Sequence, residues 1–427
     1  MFKRLILALS LMAISAHTFA AGERQEVENF TYDGVISSDG YHNQRGGLSN
    51  SYNKFTQTKE GVIVFLGGSI THNPGWRDSL CDYFTERFPD TKFTFVNAGI
   101  PSEGSTSAAF RLERDVLSYG KIDLLFEEAA VNDRDGGELR TTETTRTQAM
   151  EGIVRRVRES NPMVDIVMMQ FVDPQKIKNY SEGEVPLEIR DFERVAEHYN
   201  IPSINLAKEV TERIAAGEFT WADDFKNLHP SPFGQSIYAR SMRRFLDVAF
   251  EQGAGVKRMV KHKMPKKLDA LCYDKGKFLS VEYAALGEGW SIDPAWSPSN
   301  GQSMRDTNDL NLGKPCIVTS EQSGEMTLEF VGSAIGIVAL SGSDAGRINY
   351  SIDGVEYDAC DLSTGYSLNQ YLPRYFTLAT DLDPEQRHKL TIRLADSANP
   401  RMKGNACYIV RFFVNGDIAP ASKPKKK

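Results

Sequence analysis

The chain has 427 residues, a formal charge of −7 and 41% hydrophobic residues. A length of this order exceeds what one core usually fills, so two domains are expected. The acidic balance excludes a general nucleic-acid binder, whose affinity rests on clustered Lys and Arg.

The start, Met1-Phe2-Lys3-Arg4, leads into an apolar run from Leu5 to Ile14, then small residues up to Ala20-Ala21. This reads as a secretory signal peptide over residues 1–21. The apolar run is too short to span a bilayer. No cysteine lies near the cleavage region, so no lipid or membrane anchor is expected and the product is read as secreted or periplasmic. Residues 22–58 show little regular patterning and read as an N-terminal arm packing on a sheet. Arg45-Gly46-Gly47 is the one loop there weighed as lying near a site.

From residue 59 to 252 strand-like and helix-like segments alternate. Strands are expected at Gly61–Leu66, Lys92–Asn97, Lys121–Phe126, Asp165–Phe171 and Pro202–Leu206. Trp76, Leu80, Phe84 and Phe88 recur at four-residue spacing, on one face of a helix. Glu143–Asn161, Leu187–Tyr199 and Ser231–Phe250 also read as helices, the last beginning after Pro230. Such alternation argues for an α/β domain with a parallel sheet covered by helices on both faces.

Residues 253–265 form a basic, glycine-containing linker. From 266 to 417 the pattern changes to short strands at Glu325–Val331, Ile335–Leu340, Arg347–Ile352, Tyr375–Leu378, Lys389–Ala395 and Ala406–Val414. Turn signals such as Asp353-Gly354 and Asn415-Gly416 separate them. This spacing points to a C-terminal antiparallel β-sandwich of jelly-roll type. Residues 418–427 are a basic tail. Five cysteines are widely spaced and none forms a CxxC zinc pattern; no motif in the sequence implies a metal or an organic cofactor. Disulfides within the C-terminal half and buried free thiols both fit them.

The richest segment is Val62-Ile63-Val64-Phe65-Leu66-Gly67-Gly68-Ser69, a buried strand running into a glycine–serine turn. A serine at such a turn lifts its hydroxyl to the sheet edge, beside backbone N–H groups that can face an oxyanion. Gly99 and Asn132 stand at or just beyond the ends of the next two strands, where an open parallel sheet forms its ligand crevice. His229, in Leu228-His229-Pro230-Ser231, precedes the last helix of the domain. Glu127 and Glu128 form a pair after the third strand, but neighbours on an extended chain face opposite ways and make a poor acid–base couple. His72, three residues past Ser69, is a candidate substrate contact. Trp76 and His198 read as structural.

Together, Gly67-Gly68-Ser69-Ile70-Thr71, Asn97-Ala98-Gly99, Val131-Asn132-Asp133 and His229-Pro230-Ser231 resemble the four blocks of the SGNH/GDSL hydrolase superfamily. The likeness covers about residues 59–250, and Gly-Gly-Ser in place of Gly-Asp-Ser resembles its carbohydrate-esterase-like branches. The resemblance implies a flavodoxin-like sheet, Ser69 as nucleophile, His229 as base, and an oxyanion hole from Ser69, Gly99 and Asn132. It also implies a serine ester hydrolase removing acyl groups, expected to be acetyl, from a polysaccharide or oligosaccharide. The family's usual aspartate, three residues before the histidine, is Lys226 here. Asp224 is therefore the candidate to orient His229, the other readings being a Ser–His dyad or a carboxylate or carbonyl from elsewhere. Two further functions stay open at this point. One is a lipase, thioesterase or carbohydrate sulfate hydrolase. The other is a glycan-binding protein with an inactive hydrolase domain, binding through Trp296, Tyr366, Tyr371 or Tyr375.

Overall fold

The computed structural model describes residues 36–320 and 324–420. The signal-peptide reading and the basic tail from 421 onward lie outside the described residues.

The first domain is built from β1 (His42–Asn43), α1 (Ser49–Thr58), β2 (Glu60–Gly67), α2 (Ser69–His72), α3 (Trp76–Arg87), β3 (Lys92–Gly99), α4 (Ser105–Asp115), β4 (Leu124–Glu127), α5 (Glu143–Ser160), β5 (Asp165–Met169), α6 (Pro174–Ser181), α7 (Leu187–His198), β6 (Ser203–Ile204), α8 (Leu206–Ala215) and α9 (Pro232–Ala254). Its sheet has the order β1-β6-β5-β4-β2-β3. All pairings are parallel except β1 with β6. The apolar run of β2 is buried from Ile63 to Leu66, as expected of a central parallel strand. Trp76, Leu80 and Phe84 on α3 are fully buried, so the four-residue spacing was a core face. The chain passes from β2 to β3 on one side and then to β4 on the other. That reversal opens a crevice at the carboxyl ends of β2, β3 and β4.

The N-terminal arm is more regular than its sequence suggested, since it contributes β1 and α1. Arg45 pairs with Glu193 (2.6 Å) and bonds the Ile201 carbonyl (2.9 Å) at the start of β6. This is the end of the sheet opposite the crevice, so the loop takes no part in the site. The basic linker is an ordered strap at that same end: His262 Nε2 meets Asp165 Oδ1 (2.9 Å), and the Lys263 and Pro265 carbonyls accept from Arg158 and Arg155.

The second domain comprises β7 (Gly276–Leu279), β8 (Ala285–Leu286), β9 (Ser291–Asp293), β10 (Cys316–Thr319), β11 (Met326–Ser341), β12 (Arg347–Ile352), β13 (Val355–Glu356), β14 (Cys360–Asp361), β15 (Leu372–Ala379), β16 (Arg387–Leu394) and β17 (Cys407–Ile418). All these strands pair antiparallel. The two strands expected on either side of Gly332 are one. β11 continues through a register shift between Gly332 and Ile335, pairing β16 before it, β15 after it, and β17 along both halves. Gly332 and Gly416 make this crossing feasible: a Cβ on Gly416 would stand 2.0 Å from the Val331 carbonyl oxygen. All five cysteines are free thiols.

The domains share a packed interface. Phe110 of α4 lies against Tyr273 and Phe413 (ring centroids 4.9 and 4.6 Å apart). Gly152 of α5 sits so close to the Tyr273 backbone that a Cβ would meet it at 2.6 Å.

Candidate active site

The crevice is assembled from the ends of the three strands named above. Gly68 caps α2, a single helical turn closed by His72 N–H to the Gly68 carbonyl (3.0 Å) and Asn73 N–H to the Ser69 carbonyl (2.9 Å). Ser69 is the first residue of this turn, where a backbone N–H has no intrahelical acceptor. The fully buried Arg111 guanidinium holds the strand ends together from behind. It donates to the Gly67 carbonyl (3.1 Å) and the Ala98 carbonyl (2.8 Å), and pairs with Asp115 (2.9 Å).

His229 arrives from 160 residues further along the chain, and its Nε2 stands 2.7 Å from Ser69 Oγ. Its loop is anchored by a π-helical turn, Trp221–Phe225, whose two aromatic rings stack at 5.1 Å. Ser231 then caps α9 by accepting from Gly234 N–H (3.3 Å). Burial alone holds the His229 imidazole below its ordinary pKa of 6.5, favouring the neutral ring.

Asp224 does not orient that ring. Its Oδ2 accepts from the Thr220 N–H (2.7 Å) and the Thr220 hydroxyl (3.1 Å). The tight turn points the carboxylate back at its own start, and the Asp224 backbone carbonyl is taken by the Ser231 hydroxyl (2.5 Å). Among the described residues, no carboxylate hydrogen-bonds the His229 ring.

Asn132 reaches the crevice from the turn after β4. Its Nδ2 donates to the Glu103 carbonyl (2.8 Å), and a Cβ placed on Gly68 would meet the same nitrogen at 2.1 Å. The Glu103 carbonyl demands a donor, so it selects which end of the amide faces Gly68 and Ser69. One N–H is used on Glu103; the other is left for a ligand.

Gly99 plays a different part from the one the resemblance implied. Its N–H donates to Asn97 Oδ1 (3.0 Å), while Asn97 Nδ2 binds the His72 carbonyl (3.0 Å). Asn97 lies two residues back, close enough to close this local loop. The absence of a side chain at Gly99 has a steric reason: a Cβ would stand 2.4 Å from the His72 nitrogen. The arrangement thus presents two open donors, the Ser69 N–H and one Asn132 N–H. His72 itself is tied to the Gly99 carbonyl through Nδ1 (3.2 Å).

Glu127 and Glu128 are both buried behind the crevice with Asp133. Burial pushes Glu128 up to about 7, Asp133 up to about 6 and Glu127 well above the usual range. Glu128 accepts from Val131 N–H (3.1 Å) and Asp133 from Ser105, so they brace the loops that carry Asn132. Among the described residues, no group of three His, Cys, Asp or Glu side chains is placed to hold a metal ion.

Residues 65–237 match the GDSL-like Lipase/Acylhydrolase family. The first domain is a GDSL-like hydrolase domain. No curated protein matches the chain in sequence. Among solved structures, a two-domain esterase active on acetylated mannans has a similar fold over both domains. One crystal form has 21% identity and a TM-score of 0.69, covering 89% of this chain and 98% of that one. The form co-crystallised with mannopentaose has 20% identity and a TM-score of 0.68, over 89% and 97%.

The second domain meets this hydrolase domain at the loop after β3, where Arg305 and Arg374 bond Ser102. Of the aromatics weighed as sugar platforms, Trp296 and Tyr371 are buried against each other (centroids 5.2 Å apart) and against Tyr408. Tyr375 packs on Phe413. Only Tyr366 is exposed, and the Arg305 guanidinium lies 5.8 Å from its ring. Arg111 and Glu103 act on or through backbone groups and leave no motif in the sequence, and Asn97 stands in one of the four blocks with no role assigned to it. Among the described residues, no helix is long and apolar enough to cross a membrane.

Proposed function

We propose that the protein is a secreted serine esterase that removes acetyl groups from a polysaccharide. The observation that carries this reading is the 2.7 Å approach of His229 Nε2 to Ser69 Oγ, beside two unengaged N–H donors.

In this mechanism neutral His229 takes the Ser69 proton as Oγ attacks the ester carbonyl. The tetrahedral oxyanion receives hydrogen bonds from the Ser69 N–H and the free Asn132 N–H, each such donor worth about 3–4 kcal/mol of transition-state stabilisation. Collapse breaks the bond to the sugar oxygen, and His229 returns the proton to that leaving alcohol. Water, deprotonated by His229, then attacks the acetyl-enzyme and releases acetate with Ser69 regenerated. The catalytic pair is a Ser–His dyad, because the Asp224 carboxylate is spent on Thr220.

Three points favour a polymeric acetylated substrate over a lipid. Residues 1–21 read as a secretory leader, which would direct the enzyme to where extracellular glycans are. The fold likeness extends over both domains of an esterase active on acetylated mannans. The second domain reaches the loop after β3 beside the crevice, where Arg305 and Arg374 bond Ser102. The test is acetate release from a panel of acetylated mannan, xylan and pectin, run beside p-nitrophenyl esters of increasing chain length. Release from a polysaccharide, with ester rates falling beyond short acyl chains, is the expected result. Peak rates on long chains would assign a lipase instead.

A further inference from the structure

The loop between β3 and α4 is where the second domain touches the oxyanion side of the crevice. Glu103 N–H donates to the Ile100 carbonyl (3.3 Å), closing a turn with Pro101 and Ser102 at its centre. Ser102 has φ +67°, the left-handed conformation that glycine adopts freely and serine does not. Such a residue stays there only when its surroundings hold it.

The holding groups come from the other domain. Arg374, on β15, donates from Nη1 to the Ser102 carbonyl (2.9 Å). Arg305 donates from Nη2 to the Ser102 hydroxyl (3.3 Å). Arg374 is only 6% exposed, and Glu138 of the first domain stands 3.5 Å from its Nη2. The peptide that follows the clamped Ser102 leads directly to Glu103, whose carbonyl orients Asn132. Glu103 is itself buried among these arginines, its carboxyl pushed up to about 7 by burial. A crevice between the domains, lined by Ile100, Glu103, Arg305, Pro373 and Tyr375, runs alongside.

We propose that Arg374 is a positioning residue for the esterase reaction: it fixes Ser102 in its left-handed turn, and so sets the Glu103 carbonyl that aims the Asn132 amide at the oxyanion. The second domain thereby completes the hydrolase site even for a substrate too small to touch that domain. This inference rests on the esterase reading above.

The test uses p-nitrophenyl acetate and the full-length protein. Arg374→Met keeps the side-chain volume and removes every donor. It is expected to lower kcat by about 10- to 100-fold, the scale of a 1 Å misplacement at a reacting centre, with KM unchanged. Arg374→Lys, which retains one donor, should fall between the two and remains readable if the Met variant does not fold. Ser102→Gly added to Arg374→Met should recover kcat severalfold, because glycine holds the turn without a clamp. A role confined to gluing the domains would lower the melting temperature and leave kcat beyond the reach of Ser102→Gly. A folded Arg374→Met with wild-type kcat, or a loss that Ser102→Gly leaves in place, overturns the proposal. Ser69→Ala run alongside separates the two readings. If it is inactive while Arg374→Met is fully active, only the clamp fails. If it is as fast as wild type, the esterase reading itself fails.

Discussion

Replacing Asp224 by alanine separates a dyad from a triad by orders of magnitude. In Ser-His-Asp enzymes, loss of the orienting carboxylate lowers kcat by about 10⁴-fold, because the imidazole loses its tautomer and its aim. Here the Asp224 carboxylate makes two bonds, to the Thr220 N–H at 2.7 Å and the Thr220 hydroxyl at 3.1 Å. Both belong to the start of the turn, not to the base. Losing this cap-like pair on a half-exposed loop costs roughly 1 kcal/mol, which for a domain of this size lowers the melting temperature by about 2–4 °C. The expected outcome is therefore a slightly less stable enzyme with kcat on p-nitrophenyl acetate close to wild type. Steady-state kinetics and a thermal melt on the same preparation check it. A folded Asp224→Ala variant that has lost a thousandfold or more in kcat would refute the dyad and show that this carboxylate reaches His229 in the working enzyme.

Gly68→Ala should mimic Asn132→Ala, since its methyl would stand 2.1 Å from Asn132 Nδ2; each should cost about 10²- to 10³-fold in kcat, and the double variant should be no worse than either alone. A fully additive double loss would show that the two do not share one donor. Burial lowers the His229 pKa and the base must be neutral, so kcat/KM should rise with pH along an acid limb whose midpoint lies below 6.5; a midpoint above 7 would reveal a carboxylate partner. Glu127, raised by burial with Glu128 and Asp133 adding to it, keeps a proton that the unfolded chain releases above its ordinary 4.5. Its stabilising contribution is thus complete below that pH and is lost as pH rises toward the folded value. Glu127→Gln does not titrate, so its melting temperature relative to wild type should climb from about pH 5 to pH 8, and a flat difference would contradict the buried acid.

What the sequence disclosed, and what it hid, follows from how each group acts. Ser69, Asn132 and His229 are legible as candidates because each stands in a turn or loop at the edge of a periodic element, and a reactive side chain there is a local signal. The order β4-β2-β3 that makes their three loops neighbours is not local, and it came only from the pairing of the strands. Asp224 is close to His229 in sequence, but the π-helical turn points its carboxylate back at Thr220, which a string of letters does not show. Gly99 was read for the N–H it carries, but Asn97 two residues earlier occupies that group. Glu103, Ser102 and Arg374 were invisible because they work through backbone carbonyls and across 272 residues of sequence. In the second domain, Asn415-Gly416 reads as a turn signal in the sequence and lies inside β17, where Gly416 pairs with Gly332 at the register shift of β11. Aromatic residues there carried no sign of direction, and Trp296 and Tyr371 turned inward to the core.

The most direct test of the central claim is acetate release from acetylated mannan by wild type and by Ser69→Ala at equal concentrations of folded protein. Release by wild type and none above background by Ser69→Ala is the result that a Ser69 nucleophile requires. Equal release by both proteins would place the chemistry elsewhere in the molecule and contradict the account.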